Sequence, residues 1–166
     1  MLARVHVRWV LDRSRYSYWD GKGYQGNIAK AKHVMDDVQH GAIYRSKLFE
    51  PNKGRDWVFV GCSIFGDSKV LIGVSANLEG PYTTVELMSA FSIAPMPKDS
   101  FRYCMYPHPW AFKEEEGELM ITWSEGSMIG GVVAVKVEFA MTMDKGRPTT
   151  SMEGSIKKRR GLCVIT

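Results

Sequence analysis

Apolar and polar positions alternate with a period of two along most of this chain, the pattern of half-buried β-strands. In residues 4–10, Val5, Val7 and Trp9 oppose Arg4, His6 and Arg8, which predicts a strand; Tyr16, Tyr18 and Trp19 then run to an Asp20-Gly21 turn. Residues 27–39 place Ile28, Ala31, Val34, Met35 and Val38 at helical spacing, which predicts a short helix or an irregular connection. Residues 42–49 alternate again, followed by apolar runs at 57–62 and 69–75 and a β-rich segment at 83–87. Turn sequences separate them: Glu50-Pro-Asn-Lys-Gly54, Gly66-Asp-Ser68 and Glu79-Gly-Pro81. Four short strands so joined form a meander.

The unit then starts again. Residues 101–112 predict an aromatic strand, 118–124 a second and 132–139 a third. Trp57-Val-Phe-Val-Gly61 corresponds to Leu119-Met-Ile-Thr-Trp123, and Lys69-Val-Leu-Ile-Gly73 to Val132-Val-Ala-Val-Lys136, an internal repeat. Tandem four-stranded antiparallel sheets predict an all-β fold, either blades of a β-propeller or a β-sandwich.

Particular phrases favour the blades. Ile72-Gly-Val-Ser75 followed by Asn77-Leu-Glu-Gly-Pro-Tyr82, and Pro107-His-Pro-Trp-Ala-Phe112 followed by Gly117-Glu-Leu-Met-Ile-Thr-Trp-Ser124, resemble blade signatures of a known superfamily. That superfamily is the five-bladed glycoside hydrolases of the families 43 and 32 group. His40-Gly-Ala-Ile-Tyr-Arg-Ser46 and residues 57–68 are similar to a fungal branch of it described as a domain of unknown function. The resemblance spans about residues 4–139. A full ring needs roughly 250–300 residues at roughly 40–60 per blade. The expectation is therefore a partial propeller: a half blade at 1–25, a connection at 26–40, blades at 41–90 and 101–140, and a flexible basic tail at 141–166. Open blade edges would favour self-association.

The resemblance implies either a glycosidase acting on a plant or fungal glycan or a carbohydrate-binding module without catalysis. Glycosidases use two carboxylates flanking the bond, and the resemblance places them on innermost strands. The corresponding segments, 38–49 and 103–112, hold no Asp or Glu. The catalytic candidates are therefore Glu125 with Asp37 or Asp67, and Asp36 beside them. Asp67 also fits an Asx turn, and Glu79 lies between strands as a turn residue. His40, Arg45, Tyr106, His108 and Trp110 are the ligand-binding candidates, aromatic rings and imidazoles being suited to sugar stacking and hydroxyl hydrogen bonds.

Composition narrows the remaining classes. His6, His33, His40 and His108 have no metal-ligand spacing, and Cys62, Cys104 and Cys163 form no zinc pattern, so neither metal nor cofactor is expected. Cys62 and Cys104 read as small buried hydrophobes. The glycines at 21–26 lack the Lys-Ser/Thr of a phosphate loop. The net charge of +4 equals the four charges of Lys157, Lys158, Arg159 and Arg160, so the blades are neutral and nucleic acid is not an expected partner. Residues 1–11 carry Arg4, His6 and Arg8 where a secretory signal is apolar, which makes the cytoplasm the default location. Cys163-Val-Ile-Thr166 behind that basic cluster fits a prenylation box, apart from its final Thr, and would provide the sole membrane contact.

Overall fold

The computed structural model describes residues 1–48, 54–64, 67–90, 101–126, 131–139, 141–144 and 147–150. The fold is all-β. Among the described residues, strands are joined by turns and by three-residue 3-10 turns.

Strands β1 (Ala3–Arg4), β2 (Ser17–Trp19) and β3 (Tyr24–Gln25) form one antiparallel sheet. A four-stranded meander follows in chain order: β4 (His40–Arg45), β5 (Trp57–Cys62), β6 (Lys69–Ser75) and β7 (Thr83–Ser89). The third sheet repeats the meander with β8 (Phe101–His108), β9 (Glu118–Gly126) and β10 (Gly131–Glu138).

The strand predicted at residues 4–10 stops at Arg4. Val7–Trp9 instead make a 3-10 turn, closed by Trp9 N–H on the His6 carbonyl at 2.8 Å and capped by His6 Nδ1 accepting from Arg8 N–H. Alternation alone does not make a strand without a neighbour to bond. Trp9 is left 48% exposed with the Arg15 guanidinium 5.3 Å over its ring. The helical spacing of residues 27–39 likewise yields only a 3-10 turn at Ile28–Lys30, where the Asn27 side chain accepts from Ala29 N–H.

The two large sheets pack face to face. Val58, Val60 and Cys62 of β5 and Val70, Ile72 and Val74 of β6 meet Met105, Leu119, Ile121, Trp123 and Val137 in one continuous buried core. Each fully buried aliphatic side chain contributes about 1.5–3 kcal/mol. The sheets approach most closely where β8 lies against β4 and β5, so their first strands are neighbours. Glu114, just beyond β8, acts electrostatically on Tyr44 near the end of β4.

The opposite face of the meander is also covered. Gly41 and Gly61 stand opposite each other on β4 and β5, and the Phe59 ring lies in the trough they leave. A Cβ on Gly41 would come within 2.5 Å of Phe59 Cε2, and one on Gly61 within 2.6 Å of Cζ. Met1, Leu2, Val34, Met35 and Val38 close over Ile43 and Phe59, leaving a cleft of ≈ 390 Å³.

Beyond the third sheet, β11 (Met141–Asp144) and β12 (Arg147–Thr150) pair as a hairpin within the segment whose composition predicts a flexible tail. The basic cluster and Cys163 lie outside the described residues. No helix among the described residues is long and apolar enough to cross a membrane.

Candidate functional site

The candidate site lies on the third sheet, on the face turned away from the meander, and one extra residue creates it. Arg102 and Tyr103 pair with Glu125 and Ser124, but the next pair is Tyr106 with Thr122. Three steps along β8 thus match two along β9, a bulge centred on Cys104, whose φ of 54° lies in the left-handed region. Strand alternation changes phase there. Arg102 points inward before the bulge and Met105 and Pro107 after it, all buried. Tyr106 and His108 are thereby turned to the outer face. Pro107 sits on edge strand β8, where a missing N–H is tolerated.

On that face Trp110 is 77% exposed and Tyr106 46% exposed. Trp110 meets the His108 ring edge-on, with centroids 5.1 Å apart at 85°. His108 Nε2 lies 2.7 Å from Thr122 Oγ1, which fixes the imidazole against β9. The result is a partly wet aromatic surface with one ring held by a hydrogen bond and a second leaning on it.

Phe112, Glu118, Lys136 and Glu138 flank this surface. Lys136 Nζ bonds Glu118 Oε1, approaches Glu138 Oε1 at 3.1 Å, and lies 5.3 Å from the Phe112 ring centroid. The hydrogen bond from Lys136 holds the Glu118 carboxyl below its ordinary range, and the bond to Glu118, then that to Glu138, raises the Lys136 ammonium. Sequence reasoning missed this group and Thr122. Glu118 and Glu138 stand opposite each other only through the β9–β10 register, which no local motif reveals.

Two of the three carboxylate candidates have other partners. Glu125 Oε2 accepts from Arg102 Nε at 3.0 Å and from Trp123 Nε1 at 3.3 Å. Asp67 accepts from the Ser63 hydroxyl and from Lys69 N–H, the latter at 3.0 Å, an Asx turn between β5 and β6. Asp37 has a φ of 56° in the connection before β4, with Asp36 beside it. No hydrogen bond or ion pair joins Glu125 to Asp37 or Asp67 among the described residues.

His40 and Arg45 separate from the aromatic group and from each other. They occupy opposite ends of β4, roughly 17 Å apart at ~3.3 Å per residue. His40 Nδ1 lies 3.7 Å from Cys62 Sγ. Arg45 lies 4.9 Å from the Trp57 ring centroid and 3.7 Å from Asp56 Oδ2. Of the five ligand-binding candidates, the structure brings together Tyr106, His108 and Trp110.

No protein-family model matches the chain, and no curated protein matches it.

Proposed function

We propose that this protein is a carbohydrate-binding module without catalytic activity, built from tandem propeller-type blades, with the outer face of the third sheet as its binding surface. The observation that carries the reading is the exposed Trp110 ring beside a His108 oriented by Thr122. Such a ring stacks on the apolar face of a pyranose, while an imidazole and a phenol serve its hydroxyls. The blade reading is favoured over a sandwich by the repeated meander order and by the adjacency of the first strands β4 and β8. Glycosidase chemistry is disfavoured because Glu125 is engaged by Arg102 and Trp123, and Asp67 by its own turn.

The test is calorimetric titration of the wild-type chain, Trp110→Ala and Glu125→Gln with soluble oligosaccharides, alongside a hydrolysis assay. Binding by wild type that Trp110→Ala abolishes, without hydrolysis, is the expected result. Absence of binding to any oligosaccharide would overturn the reading, and hydrolysis lost in Glu125→Gln would restore the catalytic one.

A further inference from the structure

The loop between β1 and β2 presents apolar side chains to solvent. Val7, Trp9, Val10 and Leu11 fall within five consecutive residues and are all exposed, Leu11 at 96% and Val7 at 80%. Single exposed apolar residues are ordinary, but several large ones together mark an interaction site. They do not stand out because the chain is loose. Arg4 pairs with Ser17 at the base of the loop, and 3-10 turns at Val7–Trp9 and Arg13–Arg15 follow one another along it. Between the turns Asp12 N–H bonds the Trp9 carbonyl at 2.8 Å, and the Tyr16 hydroxyl donates to the Val10 carbonyl at 2.6 Å. The backbone thus holds these side chains in water against the hydrophobic effect, on a convex projection where Leu11 and Val7 stand nearly clear of their neighbours.

Charge supplies a second, independent observation. Residues 1–19 contain four arginines, Arg4, Arg8, Arg13 and Arg15, against one carboxylate, Asp12. The neutral sum over the blades conceals this local excess. Asp12 lies 3.6 Å from Arg15, whose guanidinium stands over the Trp9 ring. Arg8 and Arg13 are exposed, one within the apolar stretch and one just beyond it. Guanidinium groups pair with phosphate oxygens, and tryptophan settles at the boundary between water and lipid. An apolar projection among arginines therefore matches an anionic bilayer at two depths, acyl boundary and phosphate layer. A protein partner would need a pocket shaped to a convex row of four side chains, whereas a lipid surface moulds itself around them.

We infer that the β1–β2 loop docks the protein on an anionic phospholipid surface. Val7, Trp9, Val10 and Leu11 enter the interfacial layer, while Arg8 and Arg13 meet the phosphates. This contact is separate from any lipid on Cys163 and from the aromatic face of the third sheet. Replacing Val7 and Leu11 by serine is expected to weaken vesicle binding at least about tenfold. Neutralising Arg8 and Arg13 is expected to weaken it about tenfold to thirtyfold at low salt, an effect that shrinks as salt is added.

The experiment sediments the full, unlipidated chain with vesicles of phosphatidylcholine alone and of an equal mixture of phosphatidylcholine and phosphatidylserine. It is repeated with Val7→Ser/Leu11→Ser and with Arg8→Gln/Arg13→Gln, whose side chains are exposed and whose melting temperatures check that the fold is intact. A third variant, Lys157→Gln/Lys158→Gln/Arg159→Gln/Arg160→Gln, separates the loop from the basic tail. Binding to the phosphatidylserine vesicles that both loop variants weaken and the tail variant retains supports the inference. Loop variants that bind like wild type, a loss confined to the tail variant, equal binding to both vesicles, or binding to neither overturns it. In the last case, retention of the wild type on immobilised poly-glutamate, lost in Arg8→Gln/Arg13→Gln, assigns the loop to an acidic protein instead.

Discussion

Arg102 and Glu125 stand directly opposite each other on β8 and β9, with the guanidinium side chain fully enclosed and the carboxylate 26% exposed. The pair is made at 3.0 Å and shared with the Trp123 indole. Removing the carboxylate leaves a buried charge without this counter-ion. Glu125→Leu is expected to destabilise the fold by about 2–3 kcal/mol, at or below the usual cost of breaking a buried pair because water reaches the glutamate. Glu125→Gln keeps an acceptor and costs less. The double variant Arg102→Met/Glu125→Leu recovers most of the loss. Urea denaturation of the wild type, Arg102→Met, Glu125→Leu and the double variant measures the coupling, and additive losses would show that the pair is not a unit.

A Cβ added to Gly61 would run into the His40 carbonyl oxygen and come within 2.7 Å of Gly41 Cα. Those are backbone atoms, which cannot rotate away. Gly61→Ala is expected to cost about 3 kcal/mol or more. Gly73→Ala would meet only the Thr84 Cγ2 methyl at 2.9 Å, the end of a side chain that can turn, and is expected to cost roughly 1 kcal/mol. Reversal of that order in denaturation midpoints would argue against the tight β4–β5 approach.

Glu118 and Lys136 predict a pH window. The Glu118 carboxyl is lowered from 4.5 in the fold, so its contribution is complete above that value and fades as pH falls through the lower folded value. The Lys136 ammonium is raised from 10.5, so its contribution is complete below that value and is lost as pH climbs through the higher folded one. Melting temperatures of wild type and Glu118→Gln are expected to differ between those limits and converge beyond them. A constant difference across the whole range would disprove the linkage.

Thr122 acts on the site through His108. Thr122→Val preserves shape on β9 and removes the hydroxyl that lies 2.7 Å from Nε2. The expected outcome is oligosaccharide affinity reduced about threefold to tenfold, the scale of one hydrogen bond. The freed imidazole should also show averaged ring resonances by nuclear magnetic resonance. Thr122→Ser, which keeps the hydroxyl, should restore both readouts.

The strands of the core were legible because their sequences are apolar on successive positions: β5, β6, β9 and β10 fall where their Val and Ile runs place them. Residues 4–10 were not, since alternation records which side chains differ and not whether a neighbouring strand exists to accept hydrogen bonds. The Tyr106, His108 and Trp110 cluster was visible as a local phrase, because its members lie within one strand end and its turn. Thr122, Lys136 and the facing glutamates required cross-strand register, which depends on where the turns and the bulge fall. His40 and Arg45 looked equivalent to the cluster in composition, yet the length of β4 carries them to opposite ends of a different sheet.

The extra residue at Cys104 ties the interior of the protein to its surface. A β8 strand one residue shorter could keep Arg102 facing Glu125 only by turning Tyr106 and His108 into the core and Met105 out to water. It could keep the aromatic face only by swinging Arg102 outward. An insertion or deletion at this point is therefore not a neutral change of loop length; it forces the chain to choose between its buried ion pair and its aromatic face. The strand in effect carries two messages written in opposite phase, and position 104 is the spacer that lets both be read.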